Sequence, residues 1–284
     1  MTPGLSFALG AMVCFGASDL IYKRAATADI EASQFIMLQA WVFCPGITLY
    51  AWATGTLDPH LSALWGSLAG LVSLIAFTNF ARSLQDGAIS TNAPIFRLNF
   101  TLTAALAIIL LGETLTLAKL AALLCALVAV WLLLAAPGLP TAQQRPSLRS
   151  LTRVLIATAA MGLANLFYKV GLQQGALPET VVAAQAWAFC STATLFVYAR
   201  DRRLRLMPRA WRYSTPAALA LVVAFVLLMH GLALGPASVL VPVAQMGFVF
   251  TALLGAAMFR ETLNLRKRAG LLVAAAALAL FAVS

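Results

Sequence analysis

The stretch Gln39-Ala40-Trp41-Val42-Phe43-Cys44 returns 146 positions later as Gln185-Ala186-Trp187-Ala188-Phe189-Cys190. A duplication of this kind constrains a fold strongly, because both copies must satisfy the same local structure and are read as a pair. The same offset sets Gly16 on Gly162, Asp19 on Asn165, Tyr22 on Tyr168 and Lys23 on Lys169. Further along the offset becomes 148. Ser90 then falls on Ser238, Pro94 on Pro242, Arg97 on Gln245, Phe100 on Phe248, and Glu113-Thr114-Leu115 on Glu261-Thr262-Leu263. A gain of two residues is best tolerated in a loop. The chain divides into a first repeat at 1–140, a connecting loop at 141–150 and a second repeat at 151–284.

Neither copy reads as a domain for water. The chain is 62% hydrophobic and 10% charged, with a mean hydropathy of +0.91, whereas soluble domains carry about a quarter charged residues. A bilayer core about 30 Å thick needs about 20 apolar residues per helical span. Ten segments meet that need: 4–23, 33–54, 62–82, 88–111, 116–136, 152–171, 179–199, 214–234, 237–259 and 265–283. The expected fold class is all-α and integral to the membrane, with ten transmembrane helices as two five-helix repeats. Cys14, Cys44, Cys125 and Cys190 all lie in apolar segments without zinc-like spacing, so they read as small hydrophobes rather than disulfide or metal partners. No basic residue precedes Lys23, so the n-region of a signal peptide is missing and the first span is expected to stay.

Five is an odd number, so the second repeat must enter the membrane from the side opposite to the first. The repeats are then inverted about an axis in the membrane plane, a device that secondary transporters use for alternating access. Orientation follows from the basic residues. Odd-numbered loops and their helix ends carry Lys23, Arg24, Arg82, Arg145, Arg149, Arg153, the run from Arg200 to Arg212, Arg260, Arg266, Lys267 and Arg268. Even-numbered loops carry only Lys119 and Lys169, at helix ends. The positive-inside rule puts the odd loops in the cytoplasm and both termini in the periplasm of a bacterial inner membrane. On this reading the net charge of +10 is topological, and no nucleic-acid partner is expected.

Ionisable groups inside a span are costly and mark candidate sites. Arg97 lies about 14 Å into the fourth segment at 1.5 Å per residue, close to the midplane. Asp19, in the first, is its natural counter-ion. The pair is either a fixed bridge between two helices or a site where the guanidinium holds a substrate carboxylate. The repeat mates, Asn165 for Asp19 and Gln245 for Arg97, keep polarity and lose charge. Pro94 and Pro242 interrupt the fourth and ninth segments at matched positions, a pointer to a transport site or else two packed kinks. The pairs Gln39 and Trp41, and Gln185 and Trp187, stand two apart and diverge by about 200° around a helix, so one member lines a cavity while the other packs. Interfacial anchoring is the alternative for the tryptophans, and the first reading for Tyr22, Tyr168, Lys23 and Lys169, with a gate as the second. Glu113 and Glu261 are expected to cap the helix that follows each. His230 is the one histidine within a span; it is a candidate for proton coupling together with Asp19, or a hydrogen-bonded packing residue.

No phosphate-binding loop, acidic magnesium cluster or His-Glu-x-x-His zinc site is present, which argues against a membrane enzyme, a cofactor or a metal. A non-transporting accessory subunit remains as a class that motifs do not address.

Two five-helix halves, each with a Glu-Thr-Leu turn after its fourth helix (Leu111-Gly112-Glu113-Thr114-Leu115, and Arg260-Glu261-Thr262-Leu263), resemble the drug/metabolite transporter superfamily, and in particular its EamA-type ten-helix exporters. The resemblance implies a central cavity lined by the first four helices of each half, with the fifth and tenth at the periphery. It also implies export of small amphipathic metabolites, amino acids and aromatic ones among them. A nucleotide-sugar or sugar-phosphate exchanger is the alternative substrate class, for which a single intramembrane arginine is a thin site. Two departures stand out: Arg260 replaces the glycine found at Gly112, and family members are often drawn with cytoplasmic termini.

Overall fold

The computed structural model describes residues 3–28, 30–86, 92, 95–134, 148–202, 204, 207–247, 249–250 and 265–283. Ten α-helices lie among them: α1 (Pro3–Thr27), α2 (Ala32–Ala53), α3 (Leu64–Asp86), α4 (Asn99–Leu111), α5 (Leu117–Leu134), α6 (Leu148–Gln173), α7 (Pro178–Asp201), α8 (Pro208–Leu234), α9 (Ala237–Gln245) and α10 (Leu265–Ala282). Six helices are long and apolar enough to cross a bilayer: α1, α2, α3, α6, α7 and α8. Three shorter apolar helices cover Ile95–Leu111, Leu117–Leu132 and Arg268–Ala282. Helices suit such a chain because hydrocarbon offers backbone groups no partner, and a helix satisfies them internally. The starts are marked in the sequence: Pro178 and Pro208 occupy the first helical positions of α7 and α8, where a missing N–H costs nothing. Helix α8 begins six residues before the expected 214, since that proline start precedes the apolar run.

Packing follows the repeat. α1 packs on α8 as α6 packs on α3; α1 meets α9 as α6 meets α4; α2 meets α8 as α7 meets α3. The remaining principal pairs, α2 with α7, α4 with α9 and α5 with α10, each join a helix to its own mate. Each contact thus has its counterpart when the halves are exchanged, the pattern of a two-fold relation. Mates that touch lie on its axis. Cys44 lies near Cys190 there, and Arg97 reaches Gln245.

Helix direction is read from which ends meet. Gly4, at the start of α1, lies against Gly231 O near the end of α8. Lys169, near the end of α6, donates its Nζ to Leu232 O and Gly235 O at the same end of α8, 2.7 Å in each case. So α1 starts where its mate α6 finishes. At the far end Ser150, early in α6, donates to Ser83 O near the end of α3, at 3.0 Å.

Small residues let the helices approach. A Cβ on Gly66 or Gly70 of α3 would fall 2.2 Å from Val181 O or 2.4 Å from Gln185 O of α7. A Cβ on Gly16 of α1 would fall 2.6 Å from Gly247 O. Exposed apolar side chains such as Ile109 (75%), Leu195 (65%) and Leu272 (73%) face outward, the surface a lipid solvent matches.

Three readings of polar residues are corrected. Lys169 is 8% exposed and Tyr168 1% exposed, so neither anchors an interface. Helix α6 runs two residues past the expected 171, to Gln173, so both residues lie within it rather than at its end. Glu113 does not cap α5: its carboxylate accepts the N–H groups of Ala237 (2.7 Å) and Ser238 (2.9 Å), capping α9 in the other repeat. Gly112 at φ +67° ends α4 and turns the chain there, a conformation glycine adopts without strain. Glu261, the side chain of Lys23 and Pro94 lie outside the described residues.

Candidate functional site

Arg97 stands on the turn at Ile95–Arg97 that leads into α4, with its side chain 15% exposed. One guanidinium nitrogen, Nη2, pairs with Asp19 Oδ2 of α1. The other, Nη1, donates to Gln245 Oε1 at the end of α9, at 3.3 Å. The expected ion pair is present, and the arginine additionally touches its own repeat mate. Helix α9 stops at Gln245, three residues beyond the buried Pro242, so Gln245 sits where the helix breaks. Three helix segments from both halves therefore converge on one guanidinium. An arginine at such depth needs this: its cost in a span is about 2.5–3.5 kcal/mol or more on insertion scales unless it is paired or hydrated.

The other polar residues singled out in the sequence sit elsewhere. Asn165 of α6 is buried and donates to Thr103 Oγ1 (3.3 Å) and Asn99 Oδ1 (3.5 Å) of α4. It is not brought to Arg97. Thr103 in turn bonds Asn99 O (3.0 Å) and Gly162 O (3.3 Å), closing a polar cluster between α4 and α6. Asn99 and Thr103 were not singled out from the sequence, although two polar residues four apart in an apolar helix share a face and were the available signal.

Gln39 and Trp41 diverge as their spacing requires. Gln39 is buried and accepts a hydrogen bond from Tyr22 of α1. Trp41 donates its Nε1 across the axis to Thr194 Oγ1 of α7, at 2.8 Å. In the second half Gln185 is 4% exposed and Trp187 is 57% exposed. Trp41 and Trp187 line one open apolar groove of about 560 Å³ with Cys44, Thr48, Trp52 and Cys190. Arg97 and Asp19 do not line it.

His230, late in α8, faces Glu179 in the first turn of α7, with Nε2 3.1 Å from Oε1. Its Nδ1 lies 2.9 Å from Val226 O, and its ring packs on Phe7 at 5.6 Å. The two residues considered for proton coupling are thus in separate places, Asp19 with Arg97 and His230 with Glu179. Glu179 was not anticipated as a partner, because helix-start carboxylates are common and nothing local announces this contact.

A second charged cluster closes one end of the α2–α7 contact. Arg200 pairs with Glu31 and, at 2.7 Å, with Asp201, while Gln34 donates to Asp201 at 3.1 Å. Arg82 lies over the Phe196 ring at 5.3 Å, and Arg153 donates to Arg82 O at 3.3 Å. Basic residues of several odd-numbered connections are therefore neighbours in space.

Comparison with curated proteins finds no match. A solved crystal structure has the same fold, with a TM-score of 0.81 over 98% of this chain and 95% of its own at 14% identity, a likeness that speaks for the fold alone. The sequence profile of the EamA-like transporter family matches twice, over residues 2–135 and 149–283, once for each repeat. With both halves matched and their helices paired across a two-fold relation, the chain belongs to the EamA-like transporter family.

Proposed function

We propose that this membrane transporter has ten spans arranged as two inverted five-helix repeats, and that it exports small amphipathic metabolites, amino acids in particular. The residue that carries the reading is Arg97. It is held by Asp19 and Gln245 where the two repeats meet, and its bond to Gln245 is the long one at 3.3 Å. A substrate carboxylate competes for Nη1 by displacing that neutral amide, gaining a charge-assisted contact in place of a neutral one. Asp19 keeps the guanidinium oriented in the absence of substrate. The opposed directions of α1 and α6 support the inverted arrangement, because exchanging the conformations of inverted halves moves a central site from one face to the other.

The test is uptake and efflux of radiolabelled amino acids by protein reconstituted in liposomes, with and without a pH gradient. Saturable flux that competes with other carboxylate-bearing amino acids supports the reading. Flux restricted to nucleotide sugars or sugar phosphates assigns the other substrate class, and no flux of any of these removes the reading.

A further inference from the structure

The two halves carry the same hydrogen-bonding residues but do not use them alike. In the first half Tyr22 donates to Gln39. The mates of that pair are Tyr168 and Gln185. Both are buried, and both Tyr168 Oη and Gln185 Oε1 lack a partner among the described residues. Ser73 lies close to Tyr168 and donates its own hydroxyl to Gly70 O at 3.0 Å, but its oxygen is not placed to accept from the phenol.

A second pair repeats the asymmetry. Trp41 donates to Thr194 across the axis at 2.8 Å. The mates are Trp187 and Thr48, which line the same groove without a hydrogen bond between them among the described residues, and Trp187 stands 57% exposed. Thr48 is otherwise prepared as Thr194 is. Thr48 Oγ1 donates to Cys44 O and Thr194 Oγ1 to Cys190 O, each four residues back and each at 2.7 Å. That leaves each hydroxyl oxygen free to accept from an indole, and Thr194 alone does so.

A buried phenol and a buried amide oxygen left without partners are costly, and a native structure holds such groups for a reason. Building on the proposal above, we infer that these residues form an exchange switch of the transport cycle. In the conformation described here Tyr22–Gln39 and Trp41–Thr194 are made. In the opposite-facing conformation those two break, and Tyr168–Gln185 and Trp187–Thr48 form. Two bonds are made in each state, so the states stay close in free energy, as a carrier that must return on each cycle requires. The groups orphaned in one state are the ones satisfied in the other, which favours two discrete arrangements over a continuum between them.

Tyrosine-to-phenylalanine changes test this with little disturbance of packing. Tyr168→Phe removes an orphan here and a bond there, so it favours the present conformation. Tyr22→Phe does the reverse. The readout is the distribution of distances between spin labels in a cysteine-free background, reconstituted in bilayers. One labelled pair is placed at Ser33 and Arg202, the other at Leu57 and Leu177, at opposite ends of α2 and α7. The two variants are expected to shift the populations in opposite directions, each by about fivefold or more, and the double variant to return towards the parent ratio. Thr194→Val and Thr48→Val, expected to act as Tyr22→Phe and Tyr168→Phe do, serve as a second set if a tyrosine variant fails to fold. Equal shifts in the same direction, or none in folded variants, overturn the switch. Because the readout is conformational, opposed shifts without flux leave the switch standing and remove the proposed substrate class. Flux without opposed shifts does the opposite.

Discussion

Arg97 shows what the sequence reveals at the residue scale and what it does not. A lone arginine and a lone aspartate in apolar spans had little choice but to meet, since each unpaired charge costs several kcal/mol in hydrocarbon, and Arg97 does pair with Asp19. The second partner, Gln245, was visible only as a repeat mate, and Asn165 was drawn instead into the cluster with Thr103 and Asn99. Neutral amides accept many partners, so sequence marked them as repeat mates without choosing their bonds. The pair now gives a decisive set of variants. Arg97→Ala leaves the Asp19 carboxylate without its counter-ion, and a loss of roughly 3 kcal/mol of stability is expected. The double change Arg97→Ala with Asp19→Ala removes both charges and is expected to recover most of that loss while abolishing flux of carboxylate-bearing substrates. Arg97→Lys keeps the charge but reaches only one of the two partners, so affinity falls with folding intact. Thermal unfolding in detergent and flux in liposomes measure the two effects. A stable double variant with parental flux would leave the pair as scaffold and end its role in recognition.

Among the elements, apolar length predicted where helices run, and glycine spacing decides how closely they pack. Gly66-x-x-x-Gly70 places two glycines on one face of α3, and there α3 lies on the α7 backbone at Val181 and Gln185. The pattern is in the sequence, yet its partner helix is not, because the contact joins the first repeat to the second across more than a hundred residues. The same holds for Glu113. Its position after α4 was legible, but its acceptance of the Ala237 and Ser238 N–H groups depends on α9 lying alongside. Local rules assign a cap to the nearest helix, and the inverted packing overrules them. Gly70→Ala brings a Cβ to 2.4 Å from Gln185 O, a backbone atom that moves only if α7 moves. The expected cost is about 1–3 kcal/mol, with Gly70→Val higher. Gly46→Ala is the control: its Cβ meets only a Val222 side-chain methyl at 3.3 Å and is expected to cost less. Melting temperatures that fall equally for Gly70→Ala and Gly46→Ala would show that α3 and α7 are not this close in the membrane.

The whole molecule is governed by one relation, the exchange of its halves, and the repeated Gln-Ala-Trp segment made that legible before any contact was known. Pairing of α1 with α8 matched by α6 with α3, and of α4 with its own mate α9, is the spatial form of the sequence offset. Sequence alone did not show how the halves interlock, since the principal contacts run between repeats rather than within them. The same relation fixes where charge lies. With α1 and α6 antiparallel, the end of α3, the start of α6 and the end of α7 meet on one face, bringing Arg82, Arg153 and Arg200 together. Arg266, at the start of α10, lies over the Trp131 ring at 4.4 Å near the end of α5. Lys169 spends its charge inward, on the carbonyls that end α8, and so adds nothing to the opposite face. Burying that amine sharpens the asymmetry that the positive-inside rule reads, and the arginine-rich face is expected in the cytoplasm. A reporter enzyme active only in the periplasm should then give signal when fused after the last residue, and none when inserted after Arg202. Swapping in a reporter active only in the cytoplasm should reverse both results. Replacing Arg200, Arg202, Arg209 and Arg212 with glutamine should weaken the preference and yield mixed signal at both positions. If the unmodified chain gives cytoplasmic signal at its end, the arginine face is turned outward, and the orientation must be set by something other than basic residues.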